Sequence, residues 1–177
     1  MTQEKIKITE NGFSMLTLRI LEKEKLIKDI QAEKNIAYTA SGDGWHDNPG
    51  FNQLEQKEFQ AVNELHQLKL KRDNSILIKT DTRNTQTIQI GSIVKVQQYF
   101  QKNKSSRIVI WEIVGHQESD IKSNKIAYDT PVGIALIGKK KDENVEVALP
   151  IGPVNFIVLE LFEDWGATIN SNNTLKL

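Results

Sequence analysis

Residues 42–51 read Gly42-Asp43-Gly44-Trp45-His46-Asp47-Asn48-Pro49-Gly50-Phe51, a turn rich in glycine and proline that also holds two carboxylates, a histidine and a tryptophan. What it joins is decided by its flanks. Before it, apolar or small residues fall at Leu16, Ile20, Ile27, Ile30 and Ala37, with Lys23 and Lys34 interrupting the series. After it the same spacing returns at Phe51, Leu54, Ala61, Leu65 and Leu68, with Glu58 in the gap. Alternating steps of three and four mark the seam of a helix that packs against one partner. Ser14 is placed to cap the first helix, and Asn48 followed by Pro49 suits the Ncap and N1 positions of the second. Two helices joined by so short a loop lie antiparallel with their seams facing, so the turn is the tip of a helical hairpin.

From Ser14 to Ala40 the first helix counts 27 residues, about 40 Å of rod. Its remaining faces carry Glu22, Lys23, Glu24, Lys25, Lys28 and Asp29. A helix with a single thin apolar stripe satisfies one partner and not a core on several sides, so the hairpin is expected to protrude as an arm.

The composition narrows the function classes. The chain has 177 residues, with 23 basic side chains against 23 acidic ones; no global field draws it to nucleic acid or to an anionic membrane. With no cysteine, disulfides, thiolate catalysis and sulfur-ligated zinc are excluded. The start MTQEKIKITENGF resembles neither a signal peptide nor a transit peptide, and no apolar run is long enough for a membrane span. A soluble, cytoplasmic protein without membrane partners is expected.

Past Asn74 the period changes. Ile88–Ile90, Ile93–Val96, Arg107–Val114, Val145–Leu149 and Phe156–Leu161 read as strands, and Pro131–Gly138 as one short helix with proline near its start and glycine past its end. Thr80–Thr87 is polar and aperiodic and suits a linker. The expected division is a coiled-coil hairpin domain over 1–79 with its tip near 42–50, a linker at 80–87, and a compact β-rich domain over 88–177.

Several short words in that second half carry a resemblance. Ile90-Gly91-Ser92-Ile93-Val94, Trp111-Glu112-Ile113-Val114-Gly115 with Glu118, Thr130-Pro131-Val132-Gly133-Ile134-Ala135-Leu136-Ile137-Gly138-Lys139, and Pro150-Ile151-Gly152 stand in the order and spacing of the C-terminal domain of the Gre family of bacterial transcript-cleavage factors. The family pattern there is approximately FGS-V, Y-IVG--E, SP-G-ALLGK and a late P-G. The resemblance implies an α+β fold: an N-terminal antiparallel coiled-coil hairpin followed by an FKBP-like β-rich domain with one short helix.

It also implies a use for the tip. The family's tip resembles GD--EN--Y. Here Gly42-Asp43 and Asn48 with Phe51 match its outer parts, Phe replacing Tyr, while Gly44, Trp45 and His46 stand where the family has two residues and Asp47 where it usually has glutamate. By resemblance, the chain is a transcription elongation factor that binds RNA polymerase. Its coiled coil enters the secondary channel and stimulates the polymerase's own cleavage of backtracked RNA.

Asp43 and Asp47 are then the candidate catalytic support, helping the polymerase hold a Mg²⁺ and orient water; the chain has no cofactor of its own and is not itself an enzyme. Magnesium takes hard oxygen ligands, and a pair of metals stabilises attacking and leaving oxygens in phosphodiester displacement. Trp45, His46 and Asn48 are candidate contacts to the backtracked RNA 3′ end or to the polymerase, the competing reading being that they pack across the turn. The protein is expected to act as a monomer. Two alternatives stand beside this reading: a Gre-like paralogue that occupies the channel and regulates transcription without cleavage, and an FKBP-like prolyl isomerase, for which the strands offer Trp111, Phe156 and Phe162 but no pocket motif.

Overall fold

The structure is a computed structural model and describes residues 5–42, 47–81, 83–102 and 104–173. It forms two compact units, one made chiefly of Phe13–Ser75 and the other of Lys7–Gly12 together with the chain from Ile76 onward.

In the first unit, α1 (Glu10–Ser41) and α2 (Pro49–Asp73) are the helices flanking the tip. At 32 residues, α1 is about 48 Å long. The seam is as narrow as the spacing predicts: Ile27, Ile30 and Ala61 form a buried cluster with Leu54 and Leu65 packed against it, and Ile20 and Phe51 are buried as well. The charged interruptions meet one another. Lys34 Nζ donates to Glu58 Oε2 at 2.6 Å and Gln31 Nε2 to Glu58 Oε1 at 2.7 Å, so two of the three residues that break the apolar series, Lys34 and Glu58, pair across it. Lys23 binds Glu64 at 2.6 Å and Lys69 binds Glu24 at 2.7 Å. Exposed and partly exposed pairs of this kind add little stability, yet a charge in a seam fixes which residues face which. The hydrogen bond from Lys34, and then that from Gln31, holds the Glu58 carboxyl below its ordinary range.

Ser14 is not the cap of α1. The helix starts four residues earlier, at Glu10, and Thr9 Oγ1 accepts from the Gly12 N–H at 3.1 Å. A hydroxyl that takes an orphan first-turn donor is what ends a helix there, and Thr9 supplies it before Ser14 is reached.

The second unit is built on a five-stranded sheet in the order β5-β4-β3-β7-β6, where β3 is Ile93–Phe100, β4 Ser105–Val114, β5 Lys125–Ala127, β6 Asn144–Leu149 and β7 Gly152–Phe162. Neighbours are antiparallel except β4 and β5, which run parallel. Val94, Val96, Ile113, Val154, Phe156 and Val158 line one core with Leu136 of α3 (Pro131–Leu136). Thr130 Oγ1 caps α3 from the Gly133 N–H at 3.1 Å with Pro131 in its first turn, as the sequence predicts.

Four elements were not legible in the pattern. Two short strands, β1 (Ile6–Thr9) and β2 (Ser75–Ile78), pair in a sheet of their own, and β5 is only three residues long. A second helix, α4 (Trp165–Asn173), follows β7, so the expectation of one short helix is corrected; Asp164 Oδ1 accepts the Ala167 N–H at 2.8 Å and opens it. Conversely, Ile88–Ile90 is not a strand. Ile88 is buried and exchanges hydrogen bonds with Gly138 and Lys139, but the chain turns at Gly91, where φ is +94° and Ser92 N–H returns to the Gln89 carbonyl at 3.0 Å. Thr80–Thr87 contains neither helix nor strand among its described residues. Arg83 fastens it by donating to the Gly91 carbonyl at 2.8 Å and to Glu112 Oε1 at 3.0 Å.

Candidate functional site

The tip is framed by the two helix ends. Asn48 is the Ncap of α2: its side-chain oxygen accepts from Gly50 N–H at 2.8 Å and Phe51 N–H at 3.3 Å, and its amide nitrogen donates to Ser41 Oγ, which itself donates to the Ala37 carbonyl. One side chain thus satisfies the orphan donors of α2 and ties them to the last turn of α1. Beneath it Phe51 is buried, its ring 6.3 Å from that of Tyr38 and 5.5 Å from Lys34 Nζ. The aromatic position at the outer end of the motif is therefore a closure of the helix pair.

Of the predicted site residues, Asp43, Trp45 and His46 lie outside the described residues, and Gly44 with them. Asp47 is described and exposed. It precedes the Ncap, where the positive end of α2 favours a carboxylate whether or not it has a further use. Asn48 has the local role just given, which occupies its oxygen and its amide. Among the described residues no three acidic or histidine side chains gather as a metal site.

A second constellation sits in the sheet-bearing unit. Glu118 Oε1 accepts from the Thr9 N–H at 2.9 Å and Oε2 from the Thr9 hydroxyl, and that hydroxyl takes the Gly12 N–H. The carboxylate is seated at the start of α1, a place that favours negative charge. Two glycines make room for it: a Cβ at either Gly12 or Gly115 would come within 2.1 Å of Glu118 Oε1. Gly133 is equally constrained, since its Cβ would lie 2.2 Å from the Ala127 carbonyl oxygen. Nearby, His116 Nδ1 meets Asp129 Oδ2, and the His116 N–H donates to the Lys7 carbonyl at 2.9 Å. Gly115, Gly133 and Glu118 belong to the short words that carry the resemblance, and the structure gives each a steric or hydrogen-bonding reason.

Comparison with known proteins follows the same words. Residues 83–161 match the family described as the C-terminal domain of transcription elongation factor GreA/GreB. The transcription elongation factor GreA of Clostridium novyi is 29% identical over 141 residues, covering 80% of this chain and 86% of that protein. That of Clostridioides difficile is 28% identical over 154 residues, covering 87% and 94%. Residues 83–161 thus carry the GreA/GreB C-terminal domain, and the chain as a whole is similar to GreA factors. It is a homologue of transcription elongation factors. GreA factor homolog 1 of Thermus thermophilus superposes with a TM-score of 0.40 at 18% identity, covering 89% of this chain and 99% of that one.

Phe156 and Phe162 are buried, and Trp111 packs against the core with its ring 6.1 Å from that of Phe156. Among the described residues no helix is long and apolar enough to cross a membrane.

Proposed function

We propose that this chain acts as a GreA/GreB-type factor: it binds RNA polymerase, places its helix pair in the secondary channel and stimulates cleavage of backtracked RNA. The observation that carries the reading is an exposed carboxylate, Asp47, fixed beside a helix end that Asn48 and Ser41 hold closed, with Asp43 four positions before it. Asp43 and Asp47 offer hard oxygen ligands, the donor type Mg²⁺ takes, and would hold it jointly with the polymerase. The bound ion supplies charge neutralisation at the cleaved phosphodiester. What the chain itself contributes is the position of its carboxylates, because a misplacement of about 1 Å lowers a rate by roughly two orders of magnitude. Trp45, His46 and Asn48 flank those carboxylates and are the residues proposed to face the RNA 3′ end.

A second reading is favoured by one observation. Three residues, Gly44, Trp45 and His46, stand where the family pattern has two, and Asp47 replaces a longer glutamate. A tip so altered would occupy the channel and regulate transcription without cleavage. Incubating stalled elongation complexes with the protein separates the two. Cleavage stimulation requires shortened RNA with the wild-type chain and its loss, by about a hundredfold or more in rate, in Asp43→Asn/Asp47→Asn. If the wild-type chain yields no shortened RNA yet slows or speeds elongation, and the double variant does the same, the regulatory reading holds.

A further inference from the structure

At one end of the sheet, the turn after β3 that carries Lys102 and the Pro150–Ile151 turn between β6 and β7 bound a groove of about 770 Å³. Its apolar surface is supplied by Phe100, Pro150, Ile151, Pro153 and Val154, and Lys102 and Ser105 stand at its polar edge. Val154 is buried and Phe100 half-buried against the core, whereas Ile151 is 58% exposed. Turn positions favour glycine, asparagine, aspartate and serine for local reasons, and isoleucine meets none of them. The volume is in the range that accommodates a ligand or a few side chains of a partner.

The charged residue that lines this groove is Lys102, and the chain around it is basic. From Phe100 to Arg107 the chain carries Lys102, Lys104 and Arg107 and no acidic residue. Arg107 lies with its guanidinium carbon 6.0 Å from the centre of the Phe100 ring while its Nε donates to Gln98 Oε1 at 3.1 Å. Glu146, on the neighbouring β6, accepts from Gln101 and not from either lysine. Lys102 and Lys104 are exposed, and among the described residues neither is in an ion pair.

We infer that this groove docks a short protein segment in which apolar side chains alternate with carboxylates. The apolar side chains would fill the space beside Ile151 and Phe100, and the carboxylates would face Lys102 and Lys104; complementary charge of this kind steers encounter and fixes register. A nucleic acid strand suits the groove less well. Base stacking uses exposed aromatic faces, and the groove's aromatic ring, Phe100, is half-buried with Arg107 over it. The inference is independent of the tip, because no groove residue belongs to 42–51.

The test uses the full ¹⁵N-labelled chain without polymerase, so that its failure is distinct from failure of the cleavage reading. The probe is a synthetic peptide alternating leucine with aspartate; polyaspartate, a leucine–lysine peptide and oligothymidylate are compared with it. Amide shifts at residues 100–105 and 149–154 are expected with the leucine–aspartate peptide and not with the leucine–lysine peptide. Ile151→Asp, and separately Lys102→Glu/Lys104→Glu, should each weaken binding by roughly tenfold. All three positions are exposed, so the variants should melt like the parent, and Ile151→Ser serves if the aspartate variant does not fold. Absence of shifts, shifts confined to other residues, equal binding of polyaspartate, or tighter binding of oligothymidylate would each overturn the inference.

Discussion

The helix pair and the sheet achieve specificity by opposite means. In the sheet-bearing unit the residues that identify the family are held by contact: Gly115 and Gly133 lie where any side chain would strike a carboxylate or a carbonyl, and Glu118 is bonded to Thr9 through both its oxygens. In the helix pair the buried cluster is three residues with two more against it, and large apolar side chains such as Leu18, Leu21, Phe59 and Val62 remain exposed. Many sequences satisfy a seam of that kind; few satisfy the sheet. The lesson is that sequence words survive where the backbone leaves no room, while a helix seam preserves only a spacing.

The contrast can be broken first at Gly133. Gly133→Ala should destabilise the sheet-bearing unit by about 3 kcal/mol, because Ala127 and Tyr128 supply backbone atoms that cannot swing aside. Denaturant unfolding followed by amide exchange, residue by residue, should show protection lost across β3, β4 and β7. A variant as stable as the parent would mean that close approach does not explain the word.

A smaller effect is expected from Ile30→Ala in the seam, about 2 kcal/mol, at the lower end for buried isoleucine because so few side chains surround it. Here exchange should quicken in α1 and α2 and stay unchanged in the sheet. If the loss matches that at Gly133, or spreads to the sheet strands, the seam is a fuller core than the contrast allows.

The smallest effect concerns Glu58. Its carboxyl is held below the ordinary range by Lys34 first and Gln31 second, so the folded state favours the ionised form. That stabilisation is present above the unfolded value of 4.5 and is lost as pH falls through the lower, folded value. Helix-pair melting should therefore decline from just below pH 4.5 downward. Glu58→Gln should lower stability at neutral pH by about 0.5 kcal/mol and flatten that decline. An unchanged acid profile in the variant would show that the pair sets register without contributing stability.

Much of this was readable before any coordinates. Alternating threes and fours located both helices, Asn48-Pro49 placed the start of α2, and Thr130-Pro131 the start of α3. The illegible parts share a cause: they depend on partners far along the chain. Thr9 caps α1 with help from Glu118, 109 positions away. Lys125–Ala127 forms a strand only because Glu112–Val114 runs beside it. Ile88–Ile90 has strand composition yet turns, since Gly91 takes a positive φ and Ser92 closes back on Gln89. At the candidate site, residue types were legible as metal-compatible oxygens. The cap that Asn48 makes with Gly50 and Phe51 was legible too, but its bond to Ser41 was not, because nothing in the local pattern pairs the two helix ends.

One turn of the sheet-bearing unit holds a non-glycine residue in the left-handed region: Asp142 adopts a φ of +67°. Aspartate tolerates that conformation better than most residues, and the turn keeps its hydrogen bonds, with the Asp142 N–H on the Val158 carbonyl and the Lys140 N–H on the Glu143 carboxylate.

The Ser41–Asn48 bond has a consequence for how such a protein can diversify. It closes the stem directly below the loop, with Phe51, Lys34 and Glu58 bracing the turns underneath. Residues between those two positions then behave as an interchangeable cartridge, whose length and chemistry can drift while the socket that receives it keeps its shape. Relatives with different tips would be variants of one handle, and grafting a tip from one onto another should leave the melting of the stem where it was.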